Sequence, residues 1–221
     1  MQHNWNFSSV FAYWDVLLIG LSGTVTLFAI TCIAGLVGGL AIGMLRYSKN
    51  RWLSYPARLY VEVFRNTPVL VQIIWFFFAM PVVIGVEISA FMAAFLGITL
   101  NTAAFSAEVF RGGIQSIERE QWEAGKAIGM NYGATMRRII LPQALKRMLP
   151  PLTSRGIEVF KMSTLASVVA YPETLQQAKL IASYEYNPIE AYTIVALMFF
   201  LVLLPMVQLT YLLERRFGKA D

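Results

Sequence analysis

Long apolar runs dominate this chain, separated by short polar stretches. Continuously hydrophobic segments cover about 16–45, 59–83, 90–110, 152–170 and 191–213. A helix needs roughly 20 apolar residues to cross the hydrocarbon core of a bilayer, and these runs are of that order. Strands of a membrane barrel alternate apolar and polar positions over about ten residues, and no such alternation is present. The pattern therefore predicts an all-α integral membrane protein with five transmembrane helices in one domain over residues 1–221.

Each run carries its own marks. The first has Gly35, Gly38, Gly39 and Gly43 in its second half. Small residues at helical spacing let backbones approach closely in lipid, so a helix contact is expected there. A basic linker, 46–58, follows. The second run holds Glu62 and Arg65, then Asn66, Thr67 and Pro68; Pro68 should bend it or redirect it. Residues 85–89 form a short outer loop. The third run contains Asn101 and Thr102, with Glu108 and Arg111 toward its end. A polar stretch, about 112–150, separates it from the fourth run. Residues 171–190 form a second outer segment, with Glu173, Glu185 and Glu190 against Lys179. No internal repeat and no low-complexity segment is evident.

Composition agrees with the pattern: 57% of residues are hydrophobic and 14% charged, with mean hydropathy +0.57. Soluble domains carry about 25% charged residues. The net charge of +5 could point to nucleic acid, but its distribution points to topology instead. No Lys or Arg precedes Arg46. Basic residues then cluster at Arg46, Lys49, Arg51 and Arg58, at Arg119, Lys126, Arg137, Arg138, Lys146 and Arg147, and at Arg215, Arg216 and Lys219. Lys and Arg concentrate on the cytoplasmic side, which places the N-terminus outside and both the central stretch and the C-terminus inside. Lacking a basic n-region, the first span is expected to act as its own insertion signal. Cys32 is the only cysteine and His3 the only histidine, so an internal disulfide and a His-rich metal site are excluded. No cofactor is implied.

The central stretch is the most informative segment. Glu118 to Ile128 favours helix. Gly129 can take a left-handed conformation and end it. Asn131 can cap a second helix, with Met136, Ile139, Ile140 and Leu141 on its apolar side, until Pro142 bends or stops it. Ala124 and Ala127 would leave the first helix with a shallow exposed surface. From these residues alone, two readings stand side by side: a surface that docks a partner protein, and an amphipathic helix resting on lipid headgroups.

The spacing Glu123-Ala124-Gly125, three residues, Gly129, nine residues, Ile139-x-Leu141-Pro142 resembles the EAA signature of permease subunits of ABC importers. Gly125 stands where that signature has its second alanine. Phe64-Arg65-Asn66-Thr67-Pro68, the run Ala107 to Ile117, and Lys161 to Val168 are similar to the polar amino-acid group of these permeases, with Glu120 in place of a usual glycine. The resemblance implies a type I importer permease with a cytoplasmic coupling loop at about 112–150. The chain has no GxxxxGK[ST] phosphate loop, so hydrolysis would belong to a separate cytoplasmic ABC ATPase dimer gripping residues 118–142. The coupling residues would be Glu123, Ala124, Gly125, Ala127, Gly129, Ile139, Leu141 and Pro142. A second permease subunit, identical or related, and an external solute-binding protein complete the expected partners within the inner membrane bilayer.

Polar residues at membrane depth face a pathway or one another. Asn101, Thr102, Ser163 and Thr164 are candidates to line the amino-acid path, and the resemblance adds Lys161. Three i,i+3 pairs are expected to neutralise themselves: Glu62 with Arg65, Glu108 with Arg111, and Glu158 with Lys161. Met162 stands where the group often has Asp, which favours an anionic substrate, and Gln177 to Leu180 with Ser183-Tyr184 look like glutamate/aspartate-type subunits. The alternatives are an ion-gradient-driven secondary transporter, which the lack of repeats disfavours, and an intramembrane enzyme, for which no H-E-x-x-H or Cys–His arrangement exists.

Overall fold

A computed structural model describes residues 5–48 and 50–217, all helices and connections. The lone His3, Lys49 and Lys219 lie outside the described residues. A short helix α1 (Phe7–Phe11) precedes α2 (Trp14–Tyr47). Then come α3 (Arg51–Asn66), α4 (Val69–Ile84), α5 (Ala90–Gln115) and the small α6 (Arg119–Ala127). A long helix, α7, runs over 132–162 and tightens into a 3-10 segment, Ser163–Val169. α8 (Thr174–Glu185) and α9 (Pro188–Phe217) end the described chain.

Trp14–Tyr47, Ala90–Gln115 and Pro188–Phe217 are long and apolar enough to cross a membrane, and α3 with α4 pass the same test as a bent pair. The remaining span, the second half of α7, carries Arg155, Glu158 and Lys161 and so falls short on hydropathy. The fold class is as the apolar pattern predicts, an all-α membrane bundle, with three single-helix spans and one bent pair meeting the length and hydropathy test among the described residues. The glycines of α2 explain its principal contact. A Cβ at Gly35 would lie 2.5 Å from Thr102 Cγ2, and one at Gly39 2.5 Å from Ser106 Cβ, both on α5. Only hydrogen fits at that crossing, and close backbone packing is what holds helices together in lipid. Leu27, Val69, Ile73, Ala94, Ile98 and Val159 form the core beside this seam. At the end away from the basic clusters, Thr24 Oγ1 meets Thr174 Oγ1 at 2.7 Å and ties α8 to α2. There Glu173 caps α8 by accepting from the backbone N–H of Leu175 and Gln176. Burial outweighs those donors and raises its carboxyl pKa to about 7.

Several boundaries differ from expectation. The basic linker 46–58 is mostly helix: α3 begins at Arg51, capped by Asn50, and contains Pro56. The second span is two helices bent by 103° at Thr67–Pro68, the redirection expected of Pro68. Pro142 neither bends nor stops its helix. A π segment, Met136–Ile140, precedes it, and Leu141–Met162 continues without interruption. A proline removes one donor, and a widened turn redistributes the carbonyls that lose it. Pro81 follows the π segment Trp75–Ala79 at the same offset. The polar stretch 112–150 is consequently short of true loop, with only 116–118 and 128–131 outside helix.

Candidate functional site

Two regions gather the polar residues. The first is the small-helix unit at the basic end of the bundle. Gly129 has φ +77°, the left-handed conformation that ends α6. Asn131 Oδ1 accepts from the backbone N–H of Ala134 at 2.9 Å and starts the next helix. Gly125 is buried; a Cβ there would lie 2.7 Å from Thr135 Cγ2. The glycine that replaces the signature's alanine therefore lets α6 lie flush on α7. Trp122 stacks on Tyr132 at 5.6 Å. Burial, followed by a hydrogen bond with Tyr47, pushes the Tyr132 phenol up to about 12 and links the unit to the foot of α2. Ile139 and Ile140 pack with Ile117, Ala144 and Met148.

What remains outside is a continuous surface. Glu123, Ala124, Ala127 and Gly129 are exposed, and Ile128 is 73% exposed. Glu123 pairs with Arg119 at 3.0 Å on the same helix. Leu141 and Pro142 are also exposed. Of the eight residues singled out from the signature, Gly125 and Ile139 hold the unit together, and the other six reach its surface.

The second region is a buried seam between α3, α4, α5 and α7. Pro68 has no N–H to offer the carbonyl of Phe64, four residues earlier. That carbonyl instead accepts from Asn101 Nδ2 at 2.6 Å and Gln72 Nε2 at 3.1 Å. Gln72 also donates to the Thr67 carbonyl at 3.0 Å. Asn101 Oδ1 in turn accepts from Arg155 at 2.6 Å. Arg155 is only 5% exposed, bonds Glu158 at 2.7 Å, and lies over the Phe105 ring at 4.3 Å. Its Nε is buried without a partner. A cavity of ≈ 420 Å³ opens beside Phe105, Ser154, Arg155 and Glu158. Arg65 covers the same ring, at 5.0 Å.

The pathway candidates separate here. Asn101 is in the seam. Thr102 is wholly buried and packs on Gly35, so it faces α2. Ser163 and Thr164 donate to the carbonyls of Phe160 and Lys161 in their own helix. The Lys161 side chain is exposed, and its ammonium makes no ion pair among the described residues. Two of the three expected charge pairs are not formed. Arg65 approaches Glu108 at 3.9 Å instead of Glu62, whose carboxylate accepts from Asn66. Glu158 pairs with Arg155, not Lys161. Glu108 does pair with Arg111, and also with Arg46 across helices. Arg155 stands one turn before Glu158 and Lys161 one turn after it, and the spacing alone does not choose between them; Arg65 is drawn to an anion on another helix, which no spacing shows.

The chain is thus a helical membrane bundle with a buried polar seam and an exposed small-residue surface at its basic end. Residues 35–219 match the family described as the binding-protein-dependent transport system inner membrane component. The probable amino-acid ABC transporter permease protein YckA of Bacillus subtilis is 38% identical over 199 residues, covering 90% of this chain and 88% of that protein. The glutamine transport system permease protein GlnP of Escherichia coli is 33% identical, with 98% of each chain covered. A crystal structure described as an amino acid ABC transporter with histidines superposes with TM-score 0.92 at 33% identity, over 97% of this chain and 100% of that one. The methionine transporter MetNI, at 22% identity and TM-score 0.71, shares the fold. The chain belongs to this family of binding-protein-dependent inner membrane components, as a permease of the polar amino-acid ABC importers.

Proposed function

We propose that residues 118–142 dock a separate cytoplasmic ABC ATPase dimer, whose closure on ATP rocks the bundle and moves a polar amino acid inward. The observation that carries this reading is the surface of Glu123, Ala124, Ala127, Ile128 and Gly129, which is exposed among the described residues although its underside is tightly fitted at Gly125. Small side chains allow such a helix to sit deep in a groove of another protein. The basic residues at the same end support a cytoplasmic location for it, with the N-terminus outside and the C-terminus inside. A second permease subunit stands opposite, because Glu158 and Lys161 are exposed on a spanning helix and lipid does not accept them. An external solute-binding protein delivers the substrate, which passes the seam of Asn101, Arg155 and Glu158, with Lys161, Ser163 and Thr164 one to two turns further along.

Within that reading the substrate is glutamate or aspartate. Arg155, Lys161 and Arg65 supply more cationic than anionic groups along the stripe, and Met162 contributes no carboxylate. Named relatives serve glutamine and arginine, so the discriminating measurement is direct. The permease is reconstituted in vesicles with its ATPase and binding protein, and uptake of labelled glutamate, aspartate, glutamine and arginine is compared. Uptake that requires ATP, and that is lost in Glu123→Lys with the ATPase subunit released, supports the coupling role. Uptake driven by an ion gradient without ATP would establish the secondary-transporter alternative instead. Preference for arginine would overturn the anionic assignment and leave the coupling role standing.

A further inference from the structure

At the foot of α2, α3 and α5 a recess of ≈ 460 Å³ is lined by Arg46, Arg51, Ser54, Tyr55, Arg58 and Arg111. No carboxylate is among these lining residues; Glu108 pairs with Arg46 and Arg111 and is approached by Arg65. Arg51 and Arg58 make no ion pair among the described residues. They lie seven residues apart on one face of α3, two turns along the same wall. Uncompensated arginines around a recess, with a serine hydroxyl between them, have the chemistry of a phosphate-group receptor.

The rest of α3 says where that phosphate comes from. Ala57 and Val61 are buried against the bundle. A separate face presents Trp52, 88% exposed, with Leu59 and Val63 also uncovered, and Tyr55, 70% exposed, at its edge with the recess. A helix with one face on protein, one basic and one apolar with aromatic residues suits the boundary where headgroups meet acyl chains at the end of a bundle. We propose that the Arg46–Arg51–Arg58–Arg111 recess binds the phosphodiester headgroup of an anionic phospholipid, while the Trp52–Leu59–Val63 face enters the acyl region beside it. Basic pockets at the cytoplasmic ends of spanning helices are suited to such headgroups. The location rests on the topology proposed above; the chemistry of the recess does not.

The intact transporter is purified and examined by native mass spectrometry after exchange into micelles with equimolar phosphatidylglycerol and phosphatidylcholine. The wild type is expected to retain phosphatidylglycerol preferentially, and millimolar inorganic phosphate is expected not to displace it. Arg51→Gln with Arg58→Gln should weaken retention by about tenfold or more, in keeping with two basic groups at an anionic surface. Arg215→Gln with Arg216→Gln removes the same charge elsewhere and should leave retention unchanged. Equal retention of both lipids by the wild type overturns the proposal, and so does equal loss in the two double variants. Displacement by inorganic phosphate would assign the recess to a free anion and overturn the lipid source. ATP-driven uptake is measured on the same preparations, so failure of coupling and failure of lipid binding are read separately.

Discussion

The docking unit at 118–142 and the seam around Arg155 are both polar islands in an apolar chain, and each contains a proline that ought to break a helix. They resolve it in opposite ways. In the docking unit, Pro142 is absorbed by a π segment, and the helix runs on to Met162. In the seam, Pro68 turns the chain by 103°. The carbonyl it orphans is met by side chains from α4 and α5, Gln72 and Asn101. A missing donor can be compensated within the helix by a wider turn, or from outside by a neighbour. Only in the second case does the bend become a place where distant elements are tied together. The first region is therefore an exterior shape built on its own local bonds. The second is a set of interdependent buried bonds that fixes α3, α4, α5 and α7 relative to one another.

That contrast predicts different costs. The largest falls on Arg155→Met, which strips Asn101 and Glu158 of their partner at once. Breaking a buried charged pair costs about 3–5 kcal/mol, and since Glu158 is 57% exposed the expected loss is toward the lower end, about 2–4 kcal/mol. Thermal unfolding in detergent measures it, and an unchanged midpoint would show that the seam is not a stabilising unit. Next is Gly129→Val. A β-branched residue at positive φ costs about 1–3 kcal/mol of local strain, confined to the docking unit. Uptake should fall and the ATPase subunit should dissociate while bundle helicity by circular dichroism stays at the wild-type value; global unfolding would contradict the separation of the two regions.

A double-mutant cycle sharpens the comparison further. Gln72→Leu should cost about 1 kcal/mol, because Asn101 stays on the Phe64 carbonyl, and Asn101→Leu about 2–3 kcal/mol, because it also takes an acceptor from the buried Arg155. Together they should exceed their sum by about 1 kcal/mol, since the carbonyl is then orphaned. Strict additivity would mean the two side chains do not share that acceptor. The smallest effect belongs to Pro142→Ala, at about 0.5 kcal/mol or less, as for surface changes that remove no partner. A loss several times larger would show that the proline, rather than the π segment, maintains the helix.

Much of this molecule follows from local chemistry. The apolar runs locate the spans because transfer to lipid is a property of each segment by itself. Gly129 and Asn131 mark the turn between the small helices because left-handed backbone and capping are decided within a few residues, and the glycines of α2 announce close packing by having no side chain to prevent it. Tertiary structure alone decided which partners meet. Arg46 reaches Glu108 across 62 residues of sequence and Arg155 reaches Asn101 across 54; of the neighbours expected at i,i+3, Arg65 leaves Glu62 for Glu108 on α5, while Glu158 takes Arg155, one turn before it on the same helix, in place of Lys161. The fates of Pro68 and Pro142 were settled in the same way. A chain shows that a hydrogen bond must be missing, but whether the backbone widens or a distant side chain supplies the donor depends on what the folded bundle places within 3 Å of the bare carbonyl.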